Sequence, residues 1–94
     1  MIIKVFSVYD SKAEVFLPPF YFQNKGEALR AFSDTIQDSN TSLAKHPEDF
    51  SLFELGEFDN SNAKYTSLQA PVSLGLAVEF LKPSDAQVKI VDKA

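Results

Sequence analysis

The sequence predicts an α+β domain with the element order ββαββα, an antiparallel sheet carrying two helices packed mainly on one face. Three observations lead there. A hairpin reading Tyr9-Asp10-Ser11-Lys12-Ala13-Glu14-Val15-Phe16 returns more loosely as Phe58-Asp59-Asn60-Ser61-Asn62-Ala63-Lys64-Tyr65. Each copy is followed by a proline and then by a segment with helical spacing. The runs between are rich in β-branched and aromatic residues, which suit a pleated, buried surface.

In the first strand, residues 2–9, Ile3, Val5 and Ser7 share one parity, while Ile2, Lys4, Phe6 and Val8 share the other. Apolar content on both parities suggests a central strand covered on both faces. Asp10-Ser11-Lys12-Ala13 is the turn, because aspartate and serine side chains bond the local backbone. Glu14 to Leu17 begins the return strand, and Pro18-Pro19, which cannot donate to a ladder, makes it an edge or bends it. Phe20-Tyr21-Phe22 continues in extended form. Asn24 then caps a helix over 25–38, with Glu27 reaching back as in a capping box. Leu29, Phe32 and Ile36 form its apolar stripe, and Glu27, Arg30 and Asp34 pair along its outer side.

Asp38-Ser39-Asn40-Thr41-Ser42 reads as a polar loop and the best candidate for mobility. A third strand runs from Phe50 to Phe58, with Phe50, Leu52, Glu54 and Gly56 on one parity and Phe53, Leu55 and Glu57 off it. Asn60-Ser61-Asn62 turns into a fourth strand, Lys64 to Leu68. Residues 71–81 fit two templates. Val72, Leu74, Leu76, Val78 and Phe80 alternate as in a strand, whereas Pro71 at a first helical position and the stripe of Leu74, Ala77 and Leu81 suit a helix. The repeated strand–strand–helix order selects the helix, which Pro83 ends. Residues 1–82 are thus expected to form one domain and 83–94 a C-terminal tail, with a short strand at Val88–Val91.

Composition narrows the function. Ninety-four residues suit one core, and 45% hydrophobic residues with nine phenylalanines are enough to pack it. The small size and apolar content also point to a dimer. The absence of cysteine excludes a disulfide scaffold, cysteine-bound zinc and thiol catalysis. No signal peptide or membrane-spanning run is present, so the chain reads as soluble and intracellular. The net charge of −4 argues against simple phosphate capture. That charge is local, however: residues 46–59 hold Glu48, Asp49, Glu54, Glu57 and Asp59 without a lysine or arginine, while residues 1–45 balance.

Catalytic chemistry finds little support. His46 with Glu48 and Asp49 supplies too few converging ligands for a metal or acid–base centre, and a His-Pro loop with two capping acids explains them. Asp10 and Asp59 are accounted for as turn formers. No phosphate loop or nucleophile motif occurs, so no enzyme activity, metal or cofactor is expected. Most aromatics belong in the core. Phe16, Phe20, Tyr21 and Tyr65 lie beside prolines or turns, where rings are free to stack on unpaired bases. Lys12, Lys25, Lys45 and Lys64 are the candidates for tracking the phosphate backbone.

Tyr9-Asp10-Ser11-Lys12-Ala13, Phe16-Leu17-Pro18-Pro19-Phe20, Arg30-Ala31-Phe32-Ser33-Asp34, Lys45-His46-Pro47-Glu48-Asp49-Phe50 and Leu55-Gly56-Glu57-Phe58-Asp59 together resemble the small nonstructural protein of gokushoviruses. These are microviruses, tailless phages with circular single-stranded DNA, and the resemblance runs from the first strand to about Leu81. It implies a non-virion protein of the infected bacterial cytoplasm, with a DNA-binding role in genome replication or packaging. The expected partners are single-stranded DNA and a second copy of the chain. The alternative is an acidic interaction module, with residues 46–59 meeting a capsid, scaffold, replication or host protein.

Overall fold

The computed structural model describes residues 1–81; the tail and the strand expected at Val88–Val91 lie outside that range. The long first strand β1 (Ile2–Asp10) organises the fold. On one side it pairs antiparallel with two short strands, β2 (Val15–Phe16) and β3 (Phe20–Phe22). On the other side it pairs with β4 (Phe50–Asp59), which pairs in turn with β5 (Lys64–Leu76). All pairings are antiparallel, so the α+β class is as expected.

Pro18-Pro19 separates β2 from β3, since neither proline has an N–H to give β1. Ser7 compensates at this gap: its fully buried hydroxyl donates to the Leu17 carbonyl at 2.6 Å. The two strand-joining turns share one construction. In each, an aspartate side chain accepts from the backbone two residues on (Lys12 to Asp10, Ser61 to Asp59, both 3.0 Å). The aspartate carbonyl then accepts from the residue four on, Glu14 at 2.7 Å and Ala63 at 2.8 Å. Both of these residues take a left-handed φ, 60° and 64°. The repeat legible in the sequence is therefore a repeat of turn geometry.

Helix α1 (Lys25–Gln37) begins where expected, with Asn24 Oδ1 accepting from the Glu27 N–H at 2.9 Å. The Glu27 carboxylate turns back to the Gln23 N–H at 3.2 Å and so caps the entry instead of pairing forward with Arg30. Ala28, Phe32 and Ile36 form the buried stripe, and Leu29 is half-buried beside it. With Phe6, Val8, Phe50, Leu52 and Ala77 they make the core. The loop expected to be mobile is stitched down: Thr41 Oγ1 donates to the Thr35 carbonyl at 3.0 Å and accepts from the Ala44 N–H at 3.1 Å. That cap opens a short helix, α2 (Ser42–Lys45), and α2 rather than residues 71–81 is the second helix.

The helix expected at 71–81 is corrected by the structure. Residues 72–76 extend β5, with Val72 opposite Glu54, Ser73 opposite Phe53, Gly75 opposite Leu52 and Leu76 opposite Ser51. This ladder satisfies the backbone of β4, which a helix there would leave bare on that side. Pro71 is tolerated because residues 68–71 bulge out opposite Leu55 on an edge strand, where no ladder bond is needed. Only a 3-10 turn, Ala77–Phe80, follows; it buries Ala77 and sets Phe80 edge-on against Phe32, ring centroids 5.3 Å apart.

Gly56 sits at the other side of this bulge. A Cβ there would meet the Thr66 carbonyl oxygen at 2.3 Å, so only glycine lets β5 approach.

Candidate nucleic-acid interface

Successive strand residues point to opposite faces, so register decides which side chains share a surface. Phe6 and Val8 face the helices, as do their partners Phe20 and Leu52. The other parity of β1 is Ile3, Val5, Ser7 and Tyr9. Its cross-strand partners are Phe16 on β2, Tyr21 on β3, and Ser51, Phe53, Gly56 and Phe58 on β4. β5 continues this face with Tyr65, Ser67, Ser73 and Leu76. No register position of this second face, among the described residues, carries a charge.

The rings there fall into two groups. Phe16 packs on Tyr9 with centroids 4.8 Å apart and stands edge-on to Phe53 at 5.3 Å. Tyr21 meets Phe58 at 5.7 Å, and Tyr65 is the cross-strand partner of Phe58. Phe16, Tyr21 and Tyr65 remain 44–47% exposed, which leaves a substantial part of each ring open to a ligand.

The acidic stretch lies elsewhere. Glu54, Glu57 and Asp59 pair in register with Phe6, Lys4 and Ile2, which belong to the helix-side parity. Lys4 Nζ lies 3.4 Å from Glu54 and 3.9 Å from Glu57, so part of the charge is neutralised locally. The Asp59 carboxyl is held below its ordinary value, mainly by the Ser61 hydroxyl at 2.6 Å and the Ser61 N–H at 3.0 Å. Alternation thus separates the negative charge from the aromatic face.

The eight residues singled out in the sequence divide. Phe16, Tyr21 and Tyr65 share the aromatic face. Lys12, exposed in the β1–β2 turn, lies at one end of it, and Lys64, at the start of β5, precedes Tyr65 at the other. Phe20 does not join them. Its position opposite Phe6 turns it to the helix side, where it stacks on Phe6 at 6.1 Å and lines an apolar groove with Phe22, Phe32 and Leu43. Lys25 opens α1 and Lys45 closes α2, so both belong to the helical layer. Tyr9, Phe53 and Phe58 were missed. Strand parity relative to Ser7 would have found them, once β4 was known to pair with β1.

His46, Glu48 and Asp49 bring their ligand atoms within 4.8 Å of one another, but they are near neighbours in one surface loop. Asp49 is anchored there because its carbonyl accepts from the Ser11 N–H at 2.9 Å and hydroxyl at 3.1 Å. Among the described residues no helix is long and apolar enough to cross a membrane.

Comparison with known proteins agrees with the resemblance seen in the sequence. Residues 3–80 match the family described as Phage ORF5 protein. Protein ORF5 of Chlamydia phage 1 is 33% identical over 85 residues, covering 85% of this chain and 88% of that protein. No solved structure matches significantly. Chlamydia phage 1 is a gokushovirus, so these relatives support a protein of a Microviridae phage. The chain belongs to the phage ORF5 protein family.

Proposed function

We propose that this phage protein binds single-stranded DNA on its aromatic sheet face and acts in genome replication or packaging in the host cytoplasm, outside the virion. One observation carries the reading: six rings occupy a face whose register positions hold no charge, while the acids of β4 point the other way. Base–aromatic stacking tolerates any sequence and is worth about 1–3 kcal/mol per base. It also operates without the dense cationic surface that phosphate-driven binding requires. Lys12 and Lys64 supply charge only at the ends, so the salt dependence should be shallow.

The test is a titration of labelled oligo-dT with the purified chain at low and moderate salt. Binding at micromolar protein with a small salt slope supports the proposal. No binding at micromolar protein, even at low salt, removes it. Self-association is part of the reading, since Val72, Leu76, Val78 and Leu81 lie exposed along β5 and the turn after it. Gel filtration with and without oligonucleotide checks it. The rival reading, an acidic docking module, has less support because the acids of 46–59 divide between the Pro47–Asp49 turn and the second half of β4, from Glu54 in its middle to Asp59 at its end.

A further inference from the structure

The rings of the proposed site do not form one continuous platform. Tyr9, Phe16 and Phe53 cluster at centroid separations of 4.8, 5.3 and 6.3 Å. Tyr21 and Phe58 meet at 5.7 Å, with Tyr65 across from Phe58. Val5 and Ser7, on the same parity opposite Tyr21 and Phe53, are only 1% and 0% exposed, so the sheet is closed over between the exposed rings of Phe16 and Tyr21. Position along β1 gives the spacing: Phe16 lies opposite Tyr9, Tyr21 opposite Val5 and Phe58 opposite Ile3. The inner members, Phe53 opposite Ser7 and Tyr21 opposite Val5, come within about 7 Å along the strand at about 3.3 Å per residue, whereas the exposed ring of Phe16 is separated from those of Tyr21 and Tyr65 by roughly 13–20 Å.

We propose that the face holds an unpaired strand at two separate stacking stations, one at Tyr9, Phe16 and Phe53 and one at Tyr21, Phe58 and Tyr65. The nucleotides between them are bridged over the closed stretch. This deepens the proposed function and rests on it. A strand that stacks at about 3.4 Å per nucleotide, or extends to roughly twice that, needs about two to six nucleotides to cross between these exposed rings. One or two further bases then sit on each station. The ligand is therefore single-stranded nucleic acid with a minimum length of about four to eight nucleotides. A duplex fits poorly, because its bases are already stacked and, among the described residues, the face offers its phosphates cations only at its ends, at Lys12 and Lys64.

The experiment measures the affinity of the full chain for dT2, dT4, dT6, dT8, dT12 and dT20, and for a blunt DNA hairpin. Affinity should rise at least tenfold between dT2 and dT8, then change little up to dT12. Phe16→Leu and Tyr65→Leu, which keep apolar bulk but lose the ring, should each weaken dT8 about tenfold. On dT2 each should act by no more than about twofold, because the other station remains. Unchanged circular dichroism in both variants separates loss of a station from loss of the fold. Binding of dT2 as tightly as dT8, or of the hairpin as tightly as dT8, overturns the two-station inference while leaving oligonucleotide binding intact. Protection of Phe16 and Tyr65 by a second copy of the chain also overturns it. No binding of dT20 removes the underlying function instead.

Discussion

Phe16 stands edge-on to Phe53, ring centroids 5.3 Å apart, although one belongs to the first hairpin and the other to the middle of β4. The contact exists because β1 lies between them: Phe16 pairs with Tyr9 on one side of β1, and Phe53 pairs with Ser7 on the other. One parity of a central strand thus brings rings from three strands into one surface. Edge-to-face pairs of this kind contribute about 0.5–1.5 kcal/mol beyond the area they bury.

Phe16→Ala should weaken oligo-dT binding about tenfold, corresponding to the lower half of the 1–3 kcal/mol range for one stacked base, and should leave the salt slope unchanged. Lys12→Ala should do the reverse, lowering the slope of log K against log salt with a smaller loss of affinity. Phe20→Ala provides the contrast. Its ring packs on Phe6 on the helix side, so the variant should lose stability by about 2 kcal/mol, less than the roughly 3–5 kcal/mol of a fully buried phenylalanine. Fluorescence anisotropy and urea unfolding together separate the two outcomes.

Gly56→Ala should destabilise the fold by about 1–3 kcal/mol or more, because the new Cβ meets the Thr66 carbonyl oxygen at 2.3 Å and backbone must shift. A lower urea midpoint checks it. Amide exchange should accelerate first in residues 64–67, which pair with β4 beside this position.

Ala63→Gly should stabilise the protein by about 0.5–1 kcal/mol. Ala63 holds φ at 64°, where a Cβ is strained and glycine is not. Part of the gain is offset by the greater freedom of glycine in the unfolded chain. The thermal midpoint measures the net effect.

Asp59 makes a contribution that depends on pH. Hydrogen bonds from Ser61 favour its ionised form and hold its folded pKa below the ordinary 3.8. A depressed carboxyl pKa gives stability that is complete above the unfolded value and is lost as pH falls through the folded one. The β4–β5 turn should therefore loosen only in strong acid. Ser61→Ala should raise the Asp59 pKa towards its ordinary value, as followed by the carboxyl carbon in an NMR titration.

Much of the fold was legible because its signals are local. Asp10 and Asp59 bond their own turns, Asn24 caps its own helix, and Pro18-Pro19 interrupts its own strand; none of these needs a distant partner. Residues 71–81 were misread because alternation and helical spacing coexist there. The free edge of β4, residues away in sequence, decides between them. Phe20 lies apart from Phe16, Tyr21 and Tyr65 for a related reason: being next to a proline says nothing about which face a ring takes.

The sequence alone determined the α+β class, the two aspartate turns, the capped helix and the presence of more aromatic rings than turns require. Only tertiary structure decided which rings share a surface and where the acids go. The physical reason is that a strand residue's side depends on its register with another strand. One step of register exchanges the two faces, and that choice is fixed by burial of Phe6, Val8 and Leu52 beneath the helices.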